Sequence, residues 1–273
     1  MASGKTVHGI KDPTPLLELT DFDFIRGTVP DYLHSVCHGA IRFFLHLWID
    51  SSNHKEPWYL AKNKRDILDA RLSQMKPPYD ITRTSHSLSE IKLWKASEFR
   101  SFALFYFPAL ADLLPSVYYK HFGILVYVLQ VLLQEKVPLS LVKDSQILVL
   151  RFIRETEVLY GLHHVRFNIH LLSHLVQSVI DWGCIWAQST FIPEWFNGVL
   201  ITSANGTQEV ASQMAHSHLI RNVVRTKAID LIQTYILPKT VCSLFKELLN
   251  IPDWIDSTLA SETLNSTLTD SGY

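Results

Sequence analysis

Cysteine is scarce in this chain: 273 residues contain three, Cys37, Cys184 and Cys242, with no CxxC pair. That excludes a disulfide framework and a four-cysteine zinc site, and it suits a reducing compartment. The opening MASGKTVHGIKDPTP lacks the apolar core of a secretory signal, so an intracellular location is expected. No apolar run approaches the roughly twenty residues that a membrane-spanning helix needs, and no membrane partner is expected. The longest such run, Phe122 to Leu133, reads as a buried helix. Gly-rich phosphate loops, a GxSxG nucleophile turn and the HExxH zinc motif are all missing. Charge is low as well, at 19% of residues with a net charge of −1, so the whole-chain balance makes no case for nucleic acid.

What is present is core. Hydrophobic residues make up 47% and aromatics 11%, which describes a globular chain able to bury a large interior. Charge is unevenly spread. Lys55 to Arg100 holds ten Lys or Arg against six Asp or Glu, whereas Glu247 to the end holds five acids and no base. The basic stretch permits phosphate contact and equally describes a solvated face.

The pattern is mainly α. Residues 1–30, with Pro13, Pro15, Gly27 and Pro30, read as an irregular arm holding one short strand. Asp31 can cap a helix through Leu33, Val36, Ile41, Phe44, Leu45 and Trp48. Further helices are expected over Asn63 to Met75, Ser89 to Phe107, Val117 to Gln134, and from Pro138 to a stop at Gly161. Phe167 to Trp182 follows, then a helix with Pro193 in its first turn, then a final helix over Gln208 to Tyr235. The organisation expected is an arm (1–30), a helical domain (31–190), terminal helices (191–255) and a disordered tail (256–273).

Three groups of residues invite chemistry. Glu194 lies in FIPEWFNG among Phe191, Trp195 and Phe196, followed by Asn197. A carboxylate buried among aromatics needs a partner or a metal, whereas one at a helix start can simply face water. His170 and His174 share one helix face by their spacing, a geometry able to bind zinc, although a hydrogen-bonded core pair is the favoured reading. Asp31 reads either as a helix cap or as an active-site acid.

The ordered blocks VHGIKDPTPLL (from Val7), PDYLHSVCHG (from Pro30), RTSHSLSE (from Arg83), WKASEFRSF (from Trp94), NIHLLSHL (from Asn168), WGCIWAQSTF (from Trp182), FIPEWFNG and NGTQ (from Asn205) resemble the C-terminal part of CACTA-type DDE transposases of the animal branch. The resemblance implies a helical insertion domain joined to the C-terminal remnant of an RNase H-like core. It also implies a nuclear location and two-metal DNA strand cleavage with Mg²⁺ or Mn²⁺. Glu194 would be the third acid and metal ligand, and Asp31 and His34 the Asp-x-x-His motif. Asn168, His170, His174 and Asn197 would support the site. Lys62, Lys64, Arg65, Arg83, Lys92, Lys95 and Arg100 would contact DNA.

Two positions depart from the family pattern: Pro193 stands where an aromatic is usual, and Asp12 where glycine is usual. The first two acids would belong to strands preceding Val7. The chain as given is therefore expected to be a catalytically inactive, transposase-derived protein that binds DNA or a transposase partner and needs no cofactor. Two other readings stand beside it. The chain could be the C-terminal segment of an active transposase completed by other sequence, with Mg²⁺ or Mn²⁺. It could instead be a helical protein-interaction domain with an exposed core edge. The apolar arm around Leu16, Leu17, Leu19, Phe22, Phe24 and Ile25 is expected to promote association.

Overall fold

Asp31 starts the first long helix. Its backbone is extended, and its carboxylate accepts the backbone N–H of His34 at 2.7 Å, satisfying an amide of the first turn. The chain then winds as a π-helix over Tyr32–Ile41, where the Arg42 N–H reaches back to the Cys37 carbonyl, and continues as α1, Arg42–Ile49. The π-helical segment is apolar and almost wholly buried, carrying Tyr32, Leu33, Val36 and Cys37 into the interior.

The computed structural model describes residues 15–23, 26–78, 81, 86–234, 237–249 and 251, with Leu17 described in its backbone only. Asp12, Phe24, Ile25, Arg83 and the tail 256–273 lie outside this set. Every regular element among the described residues is helical. The expected strand of the arm is not among them, and Pro15–Glu18 forms a 3₁₀ turn instead. No helix among the described residues is long and apolar enough to cross a membrane.

Two units make up the chain, Met1–Phe191 and Ile192–Tyr273. In the first, α1 is followed by α2 (Lys62–Gln74), a 3₁₀ turn Leu88–Leu93 and α3 (Ala96–Ser101). The single helix expected from Ser89 to Phe107 is therefore broken at Trp94 and Lys95. The cause is Glu98, whose buried carboxylate accepts the Lys95 N–H at 2.8 Å and so founds a new helix N-terminus. After α3 the chain tightens and loosens through a π-helical turn, Phe102–Tyr106, and a 3₁₀ turn, Phe107–Leu110.

Pro115 and Pro138 stand immediately before α4 (Ser116–Leu132) and α5 (Leu139–Tyr160), in extended conformations that a missing N–H does not disturb. Gly161 ends α5 with φ +95°, and a Cβ there would also approach the His163 ring to 3.1 Å. α6 spans Phe167–Trp182, as its periodicity predicts.

The core of the first unit is aromatic. Phe44 meets the rings of Trp48, His121, Phe122, Phe152 and Tyr160 at 5.3–6.1 Å, mostly edge to face. Burying each such side chain stabilises the fold by about 1.5–3 kcal/mol. α4 packs on α5 and α5 on α6, while the π-helical segment packs against α3 and α6.

The second unit contains α7 (Phe191–Thr202, beginning on the last residue of the first unit), α8 (Val210–Thr234) and α9 (Lys239–Leu249). α9 is absent from the sequence reading. It starts after Pro238 and closes a small cluster of Ala228, Ile232 and Ile251 with Phe245 and Leu249. Much of this unit's apolar surface is exposed, including Leu219, Ile220, Val223 and Val224 on α8 and Leu248 on α9.

Candidate functional site

The Asp31 carboxylate is a junction rather than an open ligand. One oxygen accepts the Thr190 N–H at 2.8 Å. The other accepts the Thr190 hydroxyl at 2.8 Å and both the backbone N–H and the Nδ1 of His34, each at 2.7 Å. Burial by itself would raise the Asp31 pKa. The hydrogen bonds from Thr190 and His34 outweigh it and hold the carboxyl below its ordinary value. Beside this junction the Tyr32 ring lies 6.0 Å from that of Phe191. To ligate a metal, Asp31 would have to surrender bonds that hold residue 190 to the first helix.

Glu194 falls in the first turn of α7, where the positive end of the helix dipole favours a carboxylate. The premise that aromatics bury it does not hold. Glu194 is exposed, its neighbour Trp195 is 62% exposed and Asn197 is exposed. Phe196 is half-buried against His218, ring to ring at 5.4 Å, on the other side of the helix. The aromatic neighbours in sequence thus face different surroundings, because successive residues of a helix diverge in direction.

Two-metal phosphodiester chemistry requires acids converging on ions about 4 Å apart. Among the described residues no group of three or more His, Cys, Asp or Glu side chains is placed to hold a metal ion. With Asp31 saturated by hydrogen bonds, the described residues do not by themselves fit a pair of Mg²⁺ or Mn²⁺ ions.

His170 and His174 do pair, Nε2 to Nε2 at 3.4 Å. The reading of them as core residues is corrected, since both are exposed. The buried face of α6 carries Ile169, Leu172, Leu175, Val176 and Val179, which leaves the histidines on the opposite side. Two other histidines are buried, His164 and, more deeply, His121, which the sequence reading did not single out. Its ring stacks on Phe152 at 4.3 Å, and its Nε2 lies 3.0 Å from the Phe152 carbonyl and 3.2 Å from the Thr156 hydroxyl. Burial holds its pKa below the ordinary histidine value.

A second acid was missed too. Glu98 is fully buried, and besides Lys95 it accepts the backbone N–H of His86 at 3.0 Å and its Nδ1 at 2.6 Å. Burial would raise its pKa, and the bonds from Lys95 and His86 overcome that and lower it. An acid three residues after Lys95, the Glu half of a capping box without its Ser or Thr, was the one signal in the sequence.

The basic residues divide by role. Lys62, Lys92, Lys95 and Arg100 are exposed. Lys64 instead donates to the Leu113 carbonyl at 2.8 Å, and Arg65 to the Ile49 carbonyl at 3.2 Å, with its guanidinium over the Tyr59 ring. These two fasten α2 to its neighbours, as Arg71 does through Asp112 and the Ala109 carbonyl. A different, basic cluster, of which the sequence reading singled out only Asn168, lies where α1 meets the start of α6. There His38, Arg42, His46, Arg166 and Asn168 surround a groove of about 330 Å³.

No family model, no curated protein and no solved structure matches this chain.

Proposed function

We propose that the chain is a transposase-derived helical protein that binds nucleic acid and does not by itself cleave it. In this reading residues 31–190 of the first unit correspond to the helical insertion of a CACTA-type transposase, and α7 to the helix that carries the third acid of an RNase H-like core. One observation carries the reading. Several sequence blocks that bear the resemblance meet in the fold. Asp31 of the second block holds Thr190 of the block before FIPEWFNG, and His86 of RTSHSLSE holds Glu98 of WKASEFRSF. Gly39 meets Asn168 of NIHLLSHL so closely that a Cβ would come within 2.8 Å of the Asn168 side chain. Residues that recur in a fixed order for a structural reason are expected to meet in this way.

Lys62, Lys92, Lys95 and Arg100 are available for phosphate contact. The exposed apolar residues of α8 and α9 offer a surface for the remainder of a core or for a partner protein. The alternative of a helical interaction domain without nucleic acid draws on that same surface.

Fluorescence anisotropy of the full chain against labelled duplex DNA, repeated across salt concentrations, tests the reading. Binding that weakens steeply with salt is expected. A nicking assay with Mg²⁺ or Mn²⁺ is expected to show no cleavage. Absence of DNA binding even at low salt would sink the reading in favour of a protein-interaction domain.

A further inference from the structure

The groove between α1 and the start of α6 has the chemistry of an anion site. It is lined by His38, Gly39, Arg42, His46, Arg166 and Asn168, with no acidic residue among its walls. Its volume of about 330 Å³ lies at the small end of ligand pockets, which run from roughly 300 to 1,000 Å³.

Two guanidinium groups arrive here from distant parts of the chain, and neither has a carboxylate partner among the described residues. Both are held in place. Arg42 Nε donates to His46 Nε2 at 3.4 Å, which leaves its terminal nitrogens for another acceptor. Arg166 lies over the Phe43 ring, 5.1 Å from its centroid, so stacking orients the guanidinium plane.

Gly39 allows the start of α6 to come this close. The N-cap of α6 is Arg166 itself, which supplies no side-chain cap. The groove therefore also meets the positive end of a sixteen-residue helix. Paired arginine forks match the oxygens of phosphate in geometry and charge, and they are oriented here before any ligand arrives.

We infer that this groove binds a phosphate group, gripped by Arg42 and Arg166 with Asn168 as a further donor. The inference rests on the nucleic-acid reading only in taking that phosphate from a DNA backbone. Inorganic phosphate or a small phosphate ester presents the same chemistry.

Inorganic phosphate titrated into isotopically labelled full-length chain at constant ionic strength is the direct probe. Movement of the His38, His46 and Asn168 resonances is expected. The Arg42→Ala/Arg166→Ala double variant, both exposed positions, is expected to weaken phosphate binding about tenfold or more. Its circular dichroism should match the parent. The double variant should also lower the salt slope of DNA binding by about 0.9, the value for one lost phosphate contact.

If phosphate moves those resonances and the wild type binds no DNA, the groove stands as a site for a free phosphate and the nucleic-acid reading falls. If phosphate leaves the resonances still, or binds the double variant as tightly as the parent, the groove inference is overturned even where DNA binds elsewhere.

Discussion

The Asp31 carboxylate binds both the backbone N–H and the hydroxyl of Thr190, a residue 159 positions away, each at 2.8 Å. The same group caps the first long helix through His34. One side chain thus joins the start of the helical domain to its last residues, and a local cap and a long-range clasp share one acid.

Replacing Asp31 should therefore cost more than an ordinary cap. Asp31→Ala is expected to destabilise the first unit by about 1–3 kcal/mol, and Asp31→Asn by less, since an amide oxygen can still accept. Chemical denaturation measures both. The Asp31 pKa is lowered in the folded state, so its stabilisation is present above the unfolded value and is lost as pH falls through the folded value, below about pH 4. Asp31→Asn should flatten that acid limb, and an unchanged limb would show that the clasp contributes nothing.

Glu98→Ala removes a buried acceptor and leaves the His86 and Lys95 N–H groups unsatisfied. A loss of about 2–4 kcal/mol is expected from the unmet donors together with the cavity. His86→Ala should cost less, because its ring is half in water, at 51% exposed. Equal effects of the two variants would mean that the ring, not the cap, dominates.

His121 carries a different pH signature. Its folded pKa is depressed by burial, as are those of His46 (by burial and Arg42) and His164 (by burial, His163 and Arg166). As pH falls below about 6.5, the unfolded chain takes up protons first, and stability declines until the folded values are reached. Each such residue adds up to about 1.4 kcal/mol per pH unit across that window. A Tm that falls between pH 7 and 5.5, and falls less in His121→Phe, is the expected result.

Glu194→Ala is expected to cost no more than about 1 kcal/mol, the scale of an exposed acid in the first turn of a helix. It should also leave DNA affinity unchanged, since a carboxylate does not attract a phosphate backbone. Under the proposed transposase reading, the same substitution is expected to abolish strand cleavage once strands carrying two further acids are supplied. A large loss of stability would assign Glu194 a structural role instead.

The helices were largely legible because their signals are local. Periodicity located α6 from Phe167 to Trp182, and the prolines at 115 and 138 marked the starts of α4 and α5. The misses have local physical causes of another kind. A stretch of apolar residues does not distinguish α-helical from π-helical winding, so Tyr32–Ile41 gave no warning. The helix expected through Trp94 was cut by a cap that forms only because Glu98 is buried beside His86. α9 is short, and within the stretch assigned to terminal helices no helix of its own was delimited beyond Tyr235.

What the sequence determined by itself is the mainly helical character and the helix boundaries that proline and glycine set. A proline or glycine constrains the backbone at its own position, whatever the rest of the chain does. Tertiary structure alone decided the roles of the charged and titratable groups. Lys64 and Arg65 became ties to carbonyls, Glu194 remained in water, His121 went dry, and Arg42 met Arg166 across a groove. An ionisable side chain takes its chemistry from the partners and solvent around it, and those partners come from parts of the chain that spacing does not connect.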